Sequence, residues 1–146
     1  MASASKSKQN SNPQAARFHT TRKAHRDETG EDYVEAVAQL IDERGEARVR
    51  DLASMMGVSH VTVSRIVRRL DDEGLLVCTP YQPIQLTTAG ARLAKKCRQR
   101  HETVLEFLRA IGVTRAQAEI DAEGIEHHAS DETIRAMRRA MRNLSR

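Results

Sequence analysis

The stretch VRDLASMMGVSHVTVSRIVRRL, residues 49–70, decides the fold. Leu52, Ala53 and Met56 recur at helical spacing, which predicts a short helix over 49–56, and Gly57 ends it. Ser59 is a good N-cap for a second helix, in which Val63, Ile66, Val67 and Leu70 form an i, i+3, i+4, i+7 core stripe before Gly74 stops it. Beyond it, Leu75–Cys78 and Ile84–Thr87 are two short apolar-rich runs joined through Pro80 and Pro83, the pattern of a hairpin. Helix, turn, helix and hairpin in this order and at these distances spell a winged helix-turn-helix.

If the Val63–Leu70 stripe faces inward, the other side of the same helix carries His60, Thr62, Arg65, Arg68 and Arg69. A recognition helix reads base edges from near its N-terminus and holds phosphates with flanking basic residues. His60, Val61, Thr62 and Arg65 are therefore the expected base contacts, and Arg68 and Arg69 the expected backbone contacts, with double-stranded operator DNA as the partner. A solvated basic helix face is the plain alternative.

Upstream, residues 1–27 hold Ser, Asn, Lys and Arg with few apolar positions and are expected to form a flexible basic tail, either an arm along DNA phosphates or an inert extension. Order is expected to begin near Thr29, where Thr29-x-x-Asp32 has the form of a capping box, and Val34, Val37, Ala38 and Ile41 carry a helix to Gly45. Downstream, a long helix from about Thr88 to Ile111 has Leu93, Ala94, Cys97, His101, Val104, Leu105, Leu108 and Ile111 on an inward stripe. Thr114 and Ser130 cap two further helices, the last one basic and ending near Leu144. The expected architecture is mainly α: a winged helix-turn-helix over 28–88 joined to an all-helical domain over 89–146.

Composition narrows the class of function. Aromatics make up 3% of the chain with no Trp, so the core must be aliphatic. Lys and Arg outnumber Asp and Glu by 24 to 20, a mild bias towards polyanionic partners. No apolar run approaches the roughly 20 residues of a membrane span, the N-terminus has no signal-like apolar region, and Cys78 and Cys97 are not paired in a C-x-x-C motif. A cytoplasmic protein without a membrane partner is expected.

The segment Asp121-Ala-Glu-Gly-Ile-Glu-His-His128 carries the most chemistry. On a helix, Glu123, Glu126 and His127 fall at i, i+3 and i+4 and project from one face, as donors to one ion must. Asp32 and Glu35 make a second acidic pair at i, i+3, and His101 lies in the apolar stripe of the long helix, which points it inward. Each residue has a simpler reading: Asp32 as part of a cap, Glu35 as a surface acid, His101 as a core histidine, and the Glu-His-His run as a helix end stabilised by its dipole.

The chain resembles the manganese transport regulators of the diphtheria-toxin-repressor family. The shared stretches are Glu31-Asp-Tyr-Val-Glu35, Gly45-Glu-Ala-Arg48, Leu86-Thr-Thr-Ala-Gly90, Arg100-His101, Phe107-Leu-Arg-Ala-Ile-Gly-Val113 and Glu123-Gly-Ile-Glu-His-His128, so that the likeness covers residues 31 to about 131. The resemblance implies metal ligands at Asp32, Glu35, His101, Glu123, Glu126 and His127. It also implies a homodimer built from the helices after the wing, which represses manganese uptake genes. The SH3-like C-terminal barrel of longer relatives is not expected. Four carboxylates and two imidazoles are a hard oxygen and nitrogen set that suits Mn²⁺, and the four converging negative charges call for two divalent ions. Fe²⁺, Co²⁺ or Zn²⁺ are expected to bind in vitro. Iron-responsive relatives have Met and Cys where this chain has Asp32 and Glu123. Cys97, four residues before His101, could join a thiolate–imidazole site but is read as core packing.

No small organic ligand is expected. A dinuclear hydrolase is the enzyme alternative, but no H-E-x-x-H helix is present. A metal-independent DNA-binding protein is the closer rival, and the six-donor set argues against it.

Overall fold

The computed structural model describes residues 13–145. Six helices and a two-stranded wing follow in the order α1 Pro13–Arg44, α2 Val49–Met56, α3 His60–Asp72, β1 Leu76–Val77, β2 Gln85–Leu86, α4 Thr88–Ala110, α5 Arg115–His128 and α6 Asp131–Leu144. Among the described residues no helix is long and apolar enough to cross a membrane.

The first helix corrects the expected boundary. It starts at Pro13 rather than near Thr29, so residues 13–27 are helical; residues 1–12 of the expected tail lie outside the described residues. Thr29 is not a cap: its hydroxyl donates to the carbonyl of His25 at 2.9 Å, a bond made within a helix. Pro13 is a favourable first helical residue, and residues 14–29 contain neither Pro nor Gly to interrupt the run. The extension is also docked. Arg69 donates to the carbonyl of Arg26 at 3.3 Å, and Arg26 lies 3.4 Å from the Glu73 carboxylate at the end of α3.

Gly57 turns the chain between α2 and α3 with φ 66°, in the left-handed region, and the Ser59 side chain accepts from the Thr62 amide. The strands pair antiparallel, Leu76 with Leu86 and Val77 with Gln85, but each is only two residues long. Pro80 and Pro83 remove donors from the expected longer hairpin, and Ile84 bonds to the Ala47 carbonyl at 2.8 Å instead of extending β2. The wing seats directly on α4 at Gly90, where any Cβ would come within 2.0 Å of the Leu75 carbonyl oxygen.

Two aliphatic cores result. Val34, Val37, Leu40, Leu52, Val63, Val67, Leu70 and Leu76 are buried in the first, and Val104, Leu108, Ala118, Ala122 and Ile134 in the second. α4 belongs to both, with Ala94 in the first and Val104 in the second, so the second core grows on the same helix that supports the wing. Ile111, expected on the inward stripe, is 55% exposed, because α4 ends at Ala110 and the chain turns out there.

Candidate metal centre and nucleic-acid interface

Extending α1 upstream of Thr29 creates a face that the shorter helix lacks. Glu28, Glu31, Asp32 and Glu35 stand at i, i+3, i+4 and i+7 and line one side of it. This side meets α5, which presents Glu123, Glu126 and His127, while α4 brings in His101. The His127 Nε2 atom lies 2.9 Å from Asp32 Oδ1 and 3.4 Å from Glu126 Oε1, and its Nδ1 lies 2.5 Å from Glu31 Oε2. His101 Nδ1 lies 3.0 Å from Glu126 Oε2 and 3.5 Å from Glu123 Oε1.

The donors group into three triads, each with its atoms within 4.8 Å of one another: Glu28, Asp32 and His127; Glu35, Glu126 and His127; and His101, Glu123 and Glu126. All six residues anticipated as ligands fall in these triads. Glu126 is the corner common to two of them. It is 2% exposed, and neither carboxylate oxygen accepts a hydrogen bond. The two imidazoles beside it are within ion-pair distance, yet their N–H groups do not point at its oxygens. A buried carboxylate left in this state is costly unless a cation or a proton neutralises it. Oxygen and imidazole donors from three helices, with an unsatisfied carboxylate at their centre, fit a hard or borderline divalent ion.

The charges show the same strain. Burial pushes Glu126 up to about 8, and the neighbouring Glu35 charge adds to the effect. Glu35 is itself raised, chiefly by burial, against the lowering effect of His127. His127 is pushed up to about 10, first by its hydrogen bond to Asp32 and then by that to Glu31. Cys97 is buried, and its thiol is pushed up to about 12 by burial and by Glu31 and Glu35. It remains a neutral core side chain and belongs to none of the triads.

Three functional groups were missed by sequence reasoning. Glu28 was legible only if α1 had been started upstream of Thr29, since its helical phase with Asp32 is then plain, whereas Glu31 already lay within the expected helix. Arg100 is the third. Its Nε and Nη2 donate to the Glu126 carbonyl at 3.0 and 2.7 Å, Nη2 also donates to the Ala129 carbonyl, and Nη1 to Asp131 at 2.7 Å. The guanidinium thus satisfies the open carbonyls at the end of α5 and fixes the turn that carries Glu126 and His127.

On α3, His60, Val61, Arg65 and Arg68 are exposed, with Val61 at 79%. Thr62 is half-buried, and its hydroxyl lies 3.0 Å from that of Ser59 as part of the cap. Arg69 departs from the expectation. Its side chain is 24% exposed and is turned onto α1, where it bonds the Arg26 carbonyl and lies 3.7 Å from Glu73. Arg68, one position earlier, points to solvent.

An exposed recognition-type helix coupled through one continuous α4 to a cluster of carboxylates and imidazoles defines a metal-responsive DNA-binding regulator. Comparison with known proteins gives the same class. Residues 27–84 match the model of the iron dependent repressor N-terminal DNA binding domain, and residues 87–146 that of the iron dependent repressor metal binding and dimerisation domain. The chain belongs to this family of iron-dependent, or diphtheria-toxin-type, repressors. It is 46% identical over 121 residues to the transcriptional regulator MntR of Escherichia coli O157:H7, covering 83% of this chain and 78% of that protein. It is 44% identical over 119 residues to MntR of Salmonella typhimurium, covering 82% and 76%. Among solved structures, the manganese regulator SloR superposes with a TM-score of 0.67 at 25% identity, covering 77% of this chain and 53% of that one. A manganese-dependent transcriptional repressor in complex with manganese superposes at 0.66 and 26% identity, covering 74% and 50%. This chain spans about half the length of those solved chains.

Proposed function

We propose that the protein is a manganese-activated transcriptional repressor that binds operator DNA as a homodimer and restrains manganese uptake. The observation that carries this reading is Glu126, a fully buried carboxylate with both oxygens unsatisfied, at the corner shared by two donor triads drawn from α1, α4 and α5. Asp32, Glu35, His101, Glu123, Glu126 and His127 would hold two ions, whose charge neutralises the cluster. The all-oxygen and imidazole donor set, and solved relatives that bear manganese in their names, support Mn²⁺ over softer ions.

The same arrangement supports a mechanism. α1 enters the first core, beside α3, and also supplies Asp32 and Glu35 to the cluster. α4 carries the wing at one end and His101 further along. Joining α1, α4 and α5 through shared donors therefore restrains the reading helix relative to the second core. Lowering the ordering cost of DNA association raises operator affinity, with coupling of typically ~1–3 kcal/mol or about 5–150-fold. His60, Val61, Thr62 and Arg65 would face base edges and Arg68 the phosphates.

Operator titrations by fluorescence anisotropy, with and without Mn²⁺, test the reading. Mn²⁺ is expected to tighten binding within the range above; equal affinity in both conditions would overturn it. On the DNA side, Arg65→Ala is expected to weaken specific binding and relax base preference, by about 1–3 kcal/mol at the position read. Arg68→Ala is expected to weaken binding to all sequences alike and reduce the salt slope by about one. Unchanged affinity in both variants would place the reading surface elsewhere.

Metal choice is tested by donor softness. The double variant Asp32→Met, Glu123→Cys is expected to shift operator activation from Mn²⁺ towards Fe²⁺ and Co²⁺. Zn²⁺, which favours four ligands, should bind tightly to the parent yet activate poorly. Identical activation profiles for parent and variant across the four ions would sink the assignment.

A further inference from the structure

The N-terminal part of α1 carries a basic face to which the reading above gives no role. His19, Arg22, Lys23 and Arg26 stand at i, i+3, i+4 and i+7 and so lie on one side of the helix. All four are exposed, and with Asp27 and Glu73 they line an open cleft of about 480 Å³. Arg26 is engaged with Glu73 at 3.4 Å, but among the described residues neither Arg22 nor Lys23 has a carboxylate partner. The acids of the metal cluster do not offset them. Glu28 comes two positions after Arg26, about 200° round the helix, so Glu28, Asp32 and Glu35 occupy the opposite side. Like charges three and four positions apart oppose helix formation, a cost that a polyanion laid along the face would relieve.

The position of this face relative to α3 selects the polyanion. α1 runs antiparallel to α3: Gly30 lies against Leu70 and Arg69, and one turn earlier Arg26 meets Glu73 at the C-terminal end of α3. His19, Arg22 and Lys23 therefore project past the end of the reading helix. Arg65 and Arg68 are exposed on α3 itself, so the free cations run on from one helix to the other. These residues stand before position 27, where the match to the family's DNA binding domain begins.

We propose that the face of α1 bearing Arg22 and Lys23 is a second DNA-backbone contact, which holds duplex phosphates beyond those that α3 reaches. The proposal rests on the DNA-binding reading above and extends its surface. Cations on phosphates carry no sequence information, so the contact adds affinity for every duplex and leaves base choice to α3. α1 and α3 share the first core, and the face therefore moves with the reading helix whether or not the cluster holds metal.

The double variant Arg22→Ala, Lys23→Ala in the full chain, titrated with duplex DNA over a range of salt and with Mn²⁺ present, tests the surface. Alanine suits a helix at both positions, so circular dichroism should not change. The slope of log affinity against log salt is expected to fall in size by about two, and affinity by roughly 10-fold at moderate salt, for operator and unrelated duplex alike. The ratio of operator affinities with and without Mn²⁺ should stay that of the parent. Arg135→Ala, Arg139→Ala removes the same charge from α6, which packs on the second core, and should leave the slope unchanged. An unchanged slope in the α1 variant, or an equal fall in the α6 variant, would overturn the proposal. So would a loss confined to the operator, which would make the face a reader of bases. The reading beneath it fails separately: a parent whose operator affinity ignores Mn²⁺ removes the metal switch, while the slopes still decide the α1 surface.

Discussion

Glu126→Ala is expected to abolish Mn²⁺ activation of operator binding while leaving the fold and the weak nonspecific affinity for DNA in place. Glu126 is common to the Glu35–Glu126–His127 and His101–Glu123–Glu126 triads, so on the two-ion reading its loss would remove one ligand from each of two positions at once. The whole coupling is then at stake, about 5–150-fold in operator affinity. The fold should survive because the substitution also removes a buried carboxylate that accepts no hydrogen bond in the metal-free protein. Metal-free Glu126→Ala should even melt no lower than the metal-free parent, since the cavity cost is offset by relief of that burial. Parallel thermal melts and anisotropy titrations check both halves. A variant that gains operator affinity with Mn²⁺ as the parent does would show that the cluster is not the switch.

The second large effect is in the pH dependence, where the free and metal-loaded proteins should move in opposite directions. In the metal-free protein Glu126 stands at about 8 against an ordinary 4.5, and His127 at about 10 against 6.5. Both are raised, so the folded state holds more protons than the unfolded one through this range. Stability must then fall as pH rises, through the Glu126 window from roughly 4.5 to 8 and the His127 window from roughly 6.5 to 10. Coordination by both residues, as proposed, would demand their deprotonated forms. Metal binding therefore releases protons, and Mn²⁺ affinity should rise by about 10-fold per pH unit for each proton released. Below pH 8 two protons are displaced, and the rise approaches ~100-fold per unit. Melting temperatures from pH 6 to 8 should decline without metal, and the increment given by Mn²⁺ should grow. A Mn²⁺ increment that is flat across that range would show that neither proton is displaced.

These two results meet at His127. In the metal-free protein its proton already links α1 to α5, through Asp32 and Glu31. On the proposed reading, a divalent ion would bring two positive charges in place of one and would neutralise Glu126, which the proton on His127 does not satisfy. Proton and metal would then compete for one joint between the helices.

The helices and their caps were legible in the sequence because each depends on residues within a turn or two of itself. Ser59, Thr114 and Ser130 accept from amides three residues on, as short polar side chains at those positions do whatever surrounds them. The aliphatic periodicity of α3 likewise placed Val63, Val67 and Leu70 inward without knowledge of the partner surface. The six expected donors come from the resemblance to the manganese regulators; helical spacing alone groups Glu123, Glu126 and His127 on one face.

What lay beyond the sequence was set by contacts between residues far apart in it. Thr29-x-x-Asp32 carries the local signature of a helix start, but docking of Arg26 against Arg69 and Glu73 favours continuing the helix through it. That continuation puts Glu28 in phase with Asp32. Arg68 and Arg69 are chemically alike and adjacent, and only the position of α1 determines that one faces solvent and the other is sequestered. The sequence determined which side chains could bind an ion. The burial of Glu126 without a hydrogen-bond partner, and the approach of His127 to Glu31, 96 positions earlier, were decided by the packing of α1, α4 and α5. Local free energies are read from neighbours along the chain, whereas desolvation and charge–charge terms depend on distances that only the folded chain defines.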